Sequence, residues 1–254
     1  MTFPYDEITI KYQTAPVVPA PHAHFYTLQV VPKANAGLSV EYTLTYLGRE
    51  ELDEEEILDE GFTLNDDFVW KGTLPAVWAT ELAKLVKSSQ FSEETDEDEL
   101  QAFVEISTMA EEKITVRYPA NIDVWAYFLQ EFIQAMFEAS GRELPFEMKY
   151  LRIQNEEVEV ALHASFAERA FRLQVGTQPP KQLAWAELQE VLKTVFEADF
   201  LADQATEKRP HRPGTYLTTG DGLWYMLGQS VVEPGRKTQV LPKIEALFSS
   251  LAQP

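Results

Sequence analysis

Three short stretches carry side chains whose types and spacing could do chemistry. His22 and His24 form a His-x-His pair entering an apolar alternating run, a spacing that puts two imidazoles on one side of a strand. A metal site needs at least a third ligand. The chain has no cysteine, and His163 and His211 lie far off in sequence. The pair therefore reads as ordinary residues at a strand start, and no metal or other cofactor is expected. Lys208-Arg209-Pro-His211-Arg212 is the compact basic cluster of an otherwise acidic protein. Because guanidinium grips oxyanions in a bidentate fashion, Arg209, His211 and Arg212 are candidates for holding an anionic ligand. The third stretch, Ser230 to Thr238 ahead of a helix, partly resembles a phosphate loop. Ser230 stands where that loop needs glycine, and Arg236 separates Gly235 from Lys237, so the pattern fails. No nucleophile elbow, dinucleotide fingerprint, zinc-protease helix or EF-hand spacing occurs. No catalytic residue is assigned, and the expectation leans away from an enzyme.

Charge is the stronger signal. The formal net charge of −20 is unevenly spread: residues 1–100 hold six Lys/Arg against twenty Asp/Glu (−14), and the remainder hold fifteen against twenty-one (−6). Such a field repels phosphate backbones and anionic lipid, so neither nucleic acid nor a membrane is an expected partner. A basic or partly unfolded protein is the natural complement. The densest run gives the candidate partner-binding residues Glu50, Glu51, Asp53, Glu54, Glu55, Glu56, Asp59 and Glu60, with a second run over Glu93–Glu99. Carboxylates gathered this way speed association with a basic partner without doing chemistry. Absence of cysteine fits a reducing compartment. MTFPYDEITIKY lacks the basic and apolar regions of a signal peptide, and no run approaches 18 apolar residues. A soluble cytoplasmic protein is expected.

The elements that must position these residues follow from periodicity. Asn121 to Gly141 carries Ile122, Trp125, Leu129, Phe132, Ile133 and Met136 at helical spacing, with Tyr127, Gln130, Glu131, Gln134 and Glu138 opposite. Asn121 suits the N-cap and Gly141 the left-handed residue that ends a helix. Further helices are expected over 76–89, 183–200 and 240–251, with a short one among the acidic residues ending at Gly61. Alternating runs predict strands over 4–13 (Ile8, Ile10 and Tyr12), 24–31, 38–47, 68–72, 100–107, 113–119, 146–154, 157–166 and 169–176, a hairpin over 215–228, and an exposed loop over 202–214. Trp78, Trp125 and Trp185 open three of the helices in similar surroundings, consistent with a loosely duplicated strand-strand-helix unit.

Adjacent strands punctuated by helices indicate an α+β protein: antiparallel sheets with amphipathic helices packed on one face. A division after Gly141 gives an acidic half, 1–141, and a second half, 142–254; one continuous domain is the alternative. The function expected is a non-enzymatic, chaperone-like or immunity-like binding protein with an acidic surface. The alternative is an enzyme or small-ligand binder with an anion pocket near 208–212. The partner and the oligomeric state are not encoded in any motif.

Overall fold

In the computed structural model, which describes residues 3–33, 37–94 and 98–253, the backbone separates into two units, Met1–Glu143 and Leu144–Pro254. Among the described residues the fold is mixed but mostly sheet, with fifteen strands in antiparallel sheets and five α-helices.

Unit 1 begins with β1 (Glu7–Gln13), β2 (His24–Lys33), β3 (Gly37–Tyr46) and β4 (Phe68–Leu74), each antiparallel to the last. A 3-10 turn (Arg49–Glu51) and α1 (Glu54–Asp59) interrupt the way from β3 to β4. Then follow α2 (Ala76–Ser88), the two-residue β5 (Phe91–Ser92), β6 (Phe103–Ala110), β7 (Lys113–Pro119) and α3 (Ile122–Ala139). The sheet order is β4-β3-β2-β1-β6-β7-β5. Period-2 alternation decides which side chains are buried: Ile8, Ile10, Tyr26, Leu28, Val30, Leu38, Val40, Tyr42, Val104 and Ile106 are, whereas Thr9, Lys11, Thr27 and Gln29 between them are not. Trp78 of α2 is fully buried and meets Phe128 and Phe132 of α3 edge-on, with ring centres 5.8 and 5.1 Å away.

Unit 2 repeats the strand order. β8 (Phe146–Ile153), β9 (Glu157–Ser165), β10 (Ala170–Val175) and β11 (Lys181–Leu183) lead to α4 (Trp185–Val195). After β12 (Asp199–Phe200) and a 3-10 turn come β13 (Gly214–Thr218), β14 (Tyr225–Met226), β15 (Val231–Val232) and α5 (Val240–Leu251). The sheet runs β11-β10-β9-β8-β13-β14, and β12 pairs with β15. Each unit is thus a four-strand meander, a helix, two strands added beside the first strand, and a closing helix. Buried residues of β8, β9, β10 and β13 join those of α4 and α5 in one cluster, in which Phe248 stacks on Tyr150 with ring centres 4.6 Å apart.

Several local expectations change. The helix expected over 183–200 stops at Val195, because Asp199 and Phe200 leave it to pair with Val232 and Val231. The strand expected from residue 100 starts at Phe103, after a turn in which Gln101 N–H donates to Asp98 O. In α3, Glu131 lies inside the buried arc with Phe128 and Ala135, and it accepts the Tyr127 hydroxyl at 3.0 Å. Asn121 occupies the N-cap without a side-chain capping bond. The far end of α3 follows its glycine. Gly141 has φ 72°, its N–H donates to Glu138 O, and Arg142 N–H donates to Phe137 O, the paired bonds of a Schellman stop. The three tryptophans fall on α2, α3 and α4, but by strand order α2 matches α4 and α3 matches α5, which has no tryptophan. The hairpin residues 34–36, and residues 95–97 within the second acidic run, lie outside the described residues.

Candidate binding surface

Antiparallel register brings the two acidic runs of unit 1 together. Gln13 pairs with Phe25 on one side and with Phe103 on the other, and His24 pairs with Tyr46. The end of β1, the start of β2, the end of β3, the starts of β4 and β6 and the end of β7 therefore share one end of the sheet. Connections 14–23, 47–67 and 93–102 all emerge there, and Arg49 is the one Lys or Arg in the three of them. Connection 14–23 touches both acidic neighbours: Val17 N–H donates to Glu99 O, and His22 Nε2 lies 3.3 Å from Glu60 Oε2.

All eight carboxylate residues of the first run are exposed. Glu50 and Glu51 lie on the 3-10 turn, Asp53 at the N-cap of α1, Glu54, Glu55, Glu56 and Asp59 on α1, and Glu60 at its C-cap. Glu56 accepts the Asp53 N–H at 2.9 Å, which fixes the first turn. Apart from Glu60, which meets His22, the remainder of the run is exposed around a helix of only six residues.

What holds this segment in place is Arg49. Its Nε donates to Pro21 O at 3.0 Å, and its Nη1 donates to Asp66 Oδ2 at 2.7 Å and to Thr63 O at 3.3 Å. Its guanidinium caps the edge-on pair of Tyr46 and Phe62, 3.6 and 4.4 Å from their ring centres. Burial pushes the Asp66 carboxyl up, but hydrogen bonds from Thr63 and Arg49 outweigh it and leave the pKa below its ordinary value. The one local cation is therefore committed to structure, and the outer carboxylates keep their field.

Beside the second run is a cavity of about 510 Å³ whose walls include Gln13, Thr14, Asp98, Glu99, Phe103 and Ile122. Asp98 and Glu99 belong to the second acidic run, whereas Gln13, Thr14 and Phe103 carry no mark in the sequence. Register alone would have exposed them, because Gln13 and Phe103 become neighbours only when β6 returns beside β1.

The other candidates are placed separately. His22 packs edge-on to Phe62, while His24 donates from Nδ1 to His22 O at 2.9 Å and stacks against Tyr12, so the two rings serve different partners. His163 belongs to unit 2, with Nδ1 3.5 Å from Glu147 Oε1. Among the described residues no three His, Asp or Glu side chains converge at metal-binding geometry. In unit 2, Arg209 is held by Glu157 at 2.6 Å and Glu159 at 2.8 Å. Their hydrogen bonds raise its pKa, and its own bond is the main reason the Glu157 pKa falls. His211 and Arg212 are exposed, and His211 lies near enough to Glu157 for its charge to add to the lowering of that pKa. The N-terminus of α5 after the 230–238 stretch is filled from within: Glu233 accepts Val240 N–H at 2.8 Å and Leu241 N–H at 3.1 Å. Those bonds, the one from Val240 first, hold its pKa low. Among the described residues no helix is long and apolar enough to cross a membrane.

No known protein family, curated protein or solved structure matches this chain.

Proposed function

We propose that the chain is a binding protein, chaperone-like or immunity-like in its manner, that engages basic or partly unfolded segments of another protein through the acidic end of unit 1. The carrying observation is topological. Two acidic runs far apart in sequence emerge at one end of one sheet, around a connection that touches both, and the one cation among them is already engaged by Asp66. One-signed charge at one end of a molecule steers an oppositely charged partner and raises its association rate. The shared strand order of the two units supports a second element of the reading, namely two diverged copies of one module in which the first took on the acidic role. The alternative anion site at Arg209, His211 and Arg212 has less support, because Glu157 and Glu159 already neutralise Arg209.

The test is capture of partners from the source cell at low salt, followed by a salt gradient. Wild-type protein is compared with a variant in which Glu50, Glu51, Glu54 and Glu55 are glutamine. Basic proteins released at moderate salt, and missing from the variant, support the reading. The same proteins held equally well by both forms overturn it.

A further inference from the structure

The two large sheets have four edges: β11 and β14 are strands of two or three residues, and β5 covers only the last two residues of β7, whose open part begins and ends with the charged Lys113 and Arg117. The fourth is β4, which is seven residues long. Natural proteins manage sheet edges by shortening or bulging them or by placing lysine or proline on them, since a long bare edge is a template for another strand. β4 pairs with β3 from Leu38↔Leu74 to Leu44↔Phe68 and has no strand on its other side. Among the described residues, no backbone group outside this ladder bonds to Phe68–Leu74. Its one lysine, Lys71, is turned to Glu41 at 2.7 Å. Every second peptide unit of the strand therefore faces outward without a protein partner.

The side chains along this edge are also suited to company. Phe68 and Trp70 are only half-buried on the core side, and Val69 on the other face is 68% exposed. Trp70 lies across Gly72, where a Cβ would come 2.1 Å from its ring, so the indole rests flat against the strand. The start of β4 follows directly from Asp66 and Asp67 and the acidic connection 47–67.

We propose that β4 is a docking edge that takes an extended segment of a partner protein as an added antiparallel strand. The segment is apolar at alternate positions and carries lysine or arginine just beyond its C-terminal end. Antiparallel pairing continues the sheet's own pattern and sets the C-terminal end of the incoming segment beside Phe68, next to the carboxylates. Alternate apolar side chains extend the core side past Phe68 and Trp70. A second copy of this chain is the poorer occupant, because two molecules of charge −20 repel each other. The basic end of the segment rests on the acidic-end reading above; the strand pairing does not.

The experiment uses the full chain and the labelled peptide TVTITVTKKK, with the reversed peptide KKKTVTITVT as polarity control. Two further versions carry N-methyl groups either on the threonines or on the apolar residues, which removes the donors of one edge or the other. Anisotropy reads affinity, and hydrogen exchange reads which amides gain protection. Expected are weaker binding of the reversed peptide, a loss of about tenfold or more for one methylated version with the other little changed, and new protection confined to residues 68–74. Equal binding of both methylated versions, protection elsewhere, or protection of β4 that depends on protein concentration without peptide overturns the docking edge. Salt separates the two proposals. Binding sensitive to methylation but indifferent to salt keeps the edge and removes the acidic-end reading. Binding sensitive to salt but blind to methylation does the reverse.

Discussion

The guanidinium carbon of Arg49 lies 3.6 Å from the centre of the Tyr46 ring, so a cation from just past the end of β3 is laid back over the strand's last residue. The same group reaches Pro21, Thr63 and Asp66. Connections 14–23 and 47–67 are thereby fastened to each other by one side chain, and the carboxylates that project from the second are displayed on a fixed base.

Replacing Arg49 with methionine keeps much of the bulk and removes the donors. The substitution leaves Asp66, only partly exposed, without its cation, and a stability loss of about 2–3 kcal/mol is expected in denaturant unfolding. The pH dependence follows from the depressed folded-state pKa of Asp66. Its contribution is complete above the unfolded carboxylate value of about 3.9 and fades as pH falls through the folded value. The gap in stability between wild type and Arg49→Met should therefore narrow below about pH 4. A gap that widens on acidification contradicts this account.

Gly72→Ala tests how tightly Trp70 is seated. The added Cβ would lie 2.1 Å from the ring, so the indole has to swing off the strand. The expected cost is about 1–3 kcal/mol, accompanied by a red shift of tryptophan fluorescence as Trp70 meets more water. Unchanged stability and emission would mean that the ring is not held there.

Arg209→Met in unit 2 should raise the Glu157 pKa toward the ordinary carboxylate value, since the Arg209 hydrogen bond is the main cause of its lowering. Carboxylate titration by NMR reads this directly. A folded pKa below the unfolded one means that the pair helps the fold above the unfolded value and ceases to as acid protonates Glu157. Loss of the arginine should accordingly flatten the acid limb of the stability curve. An unmoved Glu157 titration rules the pairing out.

Elements were legible in the sequence where one physical pattern dominated. Period-2 runs such as Ile8/Ile10 and Tyr26/Leu28/Val30 gave strands, and the helical stripe from Trp125 to Met136 gave α3. Gly141 marked its end because few other residues take a positive φ there without strain. Glu131 was misread because periodicity assigns faces by residue type, while its carboxylate has the Tyr127 hydroxyl to accept. The acidic candidates were plain from composition, but their meeting at one end of the sheet was not. That depends on β6 pairing with β1 rather than with β4, a choice made by long-range packing with no local mark. Arg209 was legible as a cation and illegible as a spent one, since Glu157 and Glu159 lie about fifty residues earlier in the chain.

The pairing of Glu7 with Met109 has a consequence for the nascent chain. β1 leaves the ribosome about ninety residues before the strand that closes its second side, which starts at Phe103. At ordinary elongation speeds of about 5–20 residues per second, that side stays open for about 5–20 seconds during translation. Thr9, Lys11 and Gln13, polar and regularly spaced along β1, keep one face of this waiting strand wet. Translation speed across residues 14–103 therefore sets how long the half-made sheet can be captured by a neighbour on the same messenger.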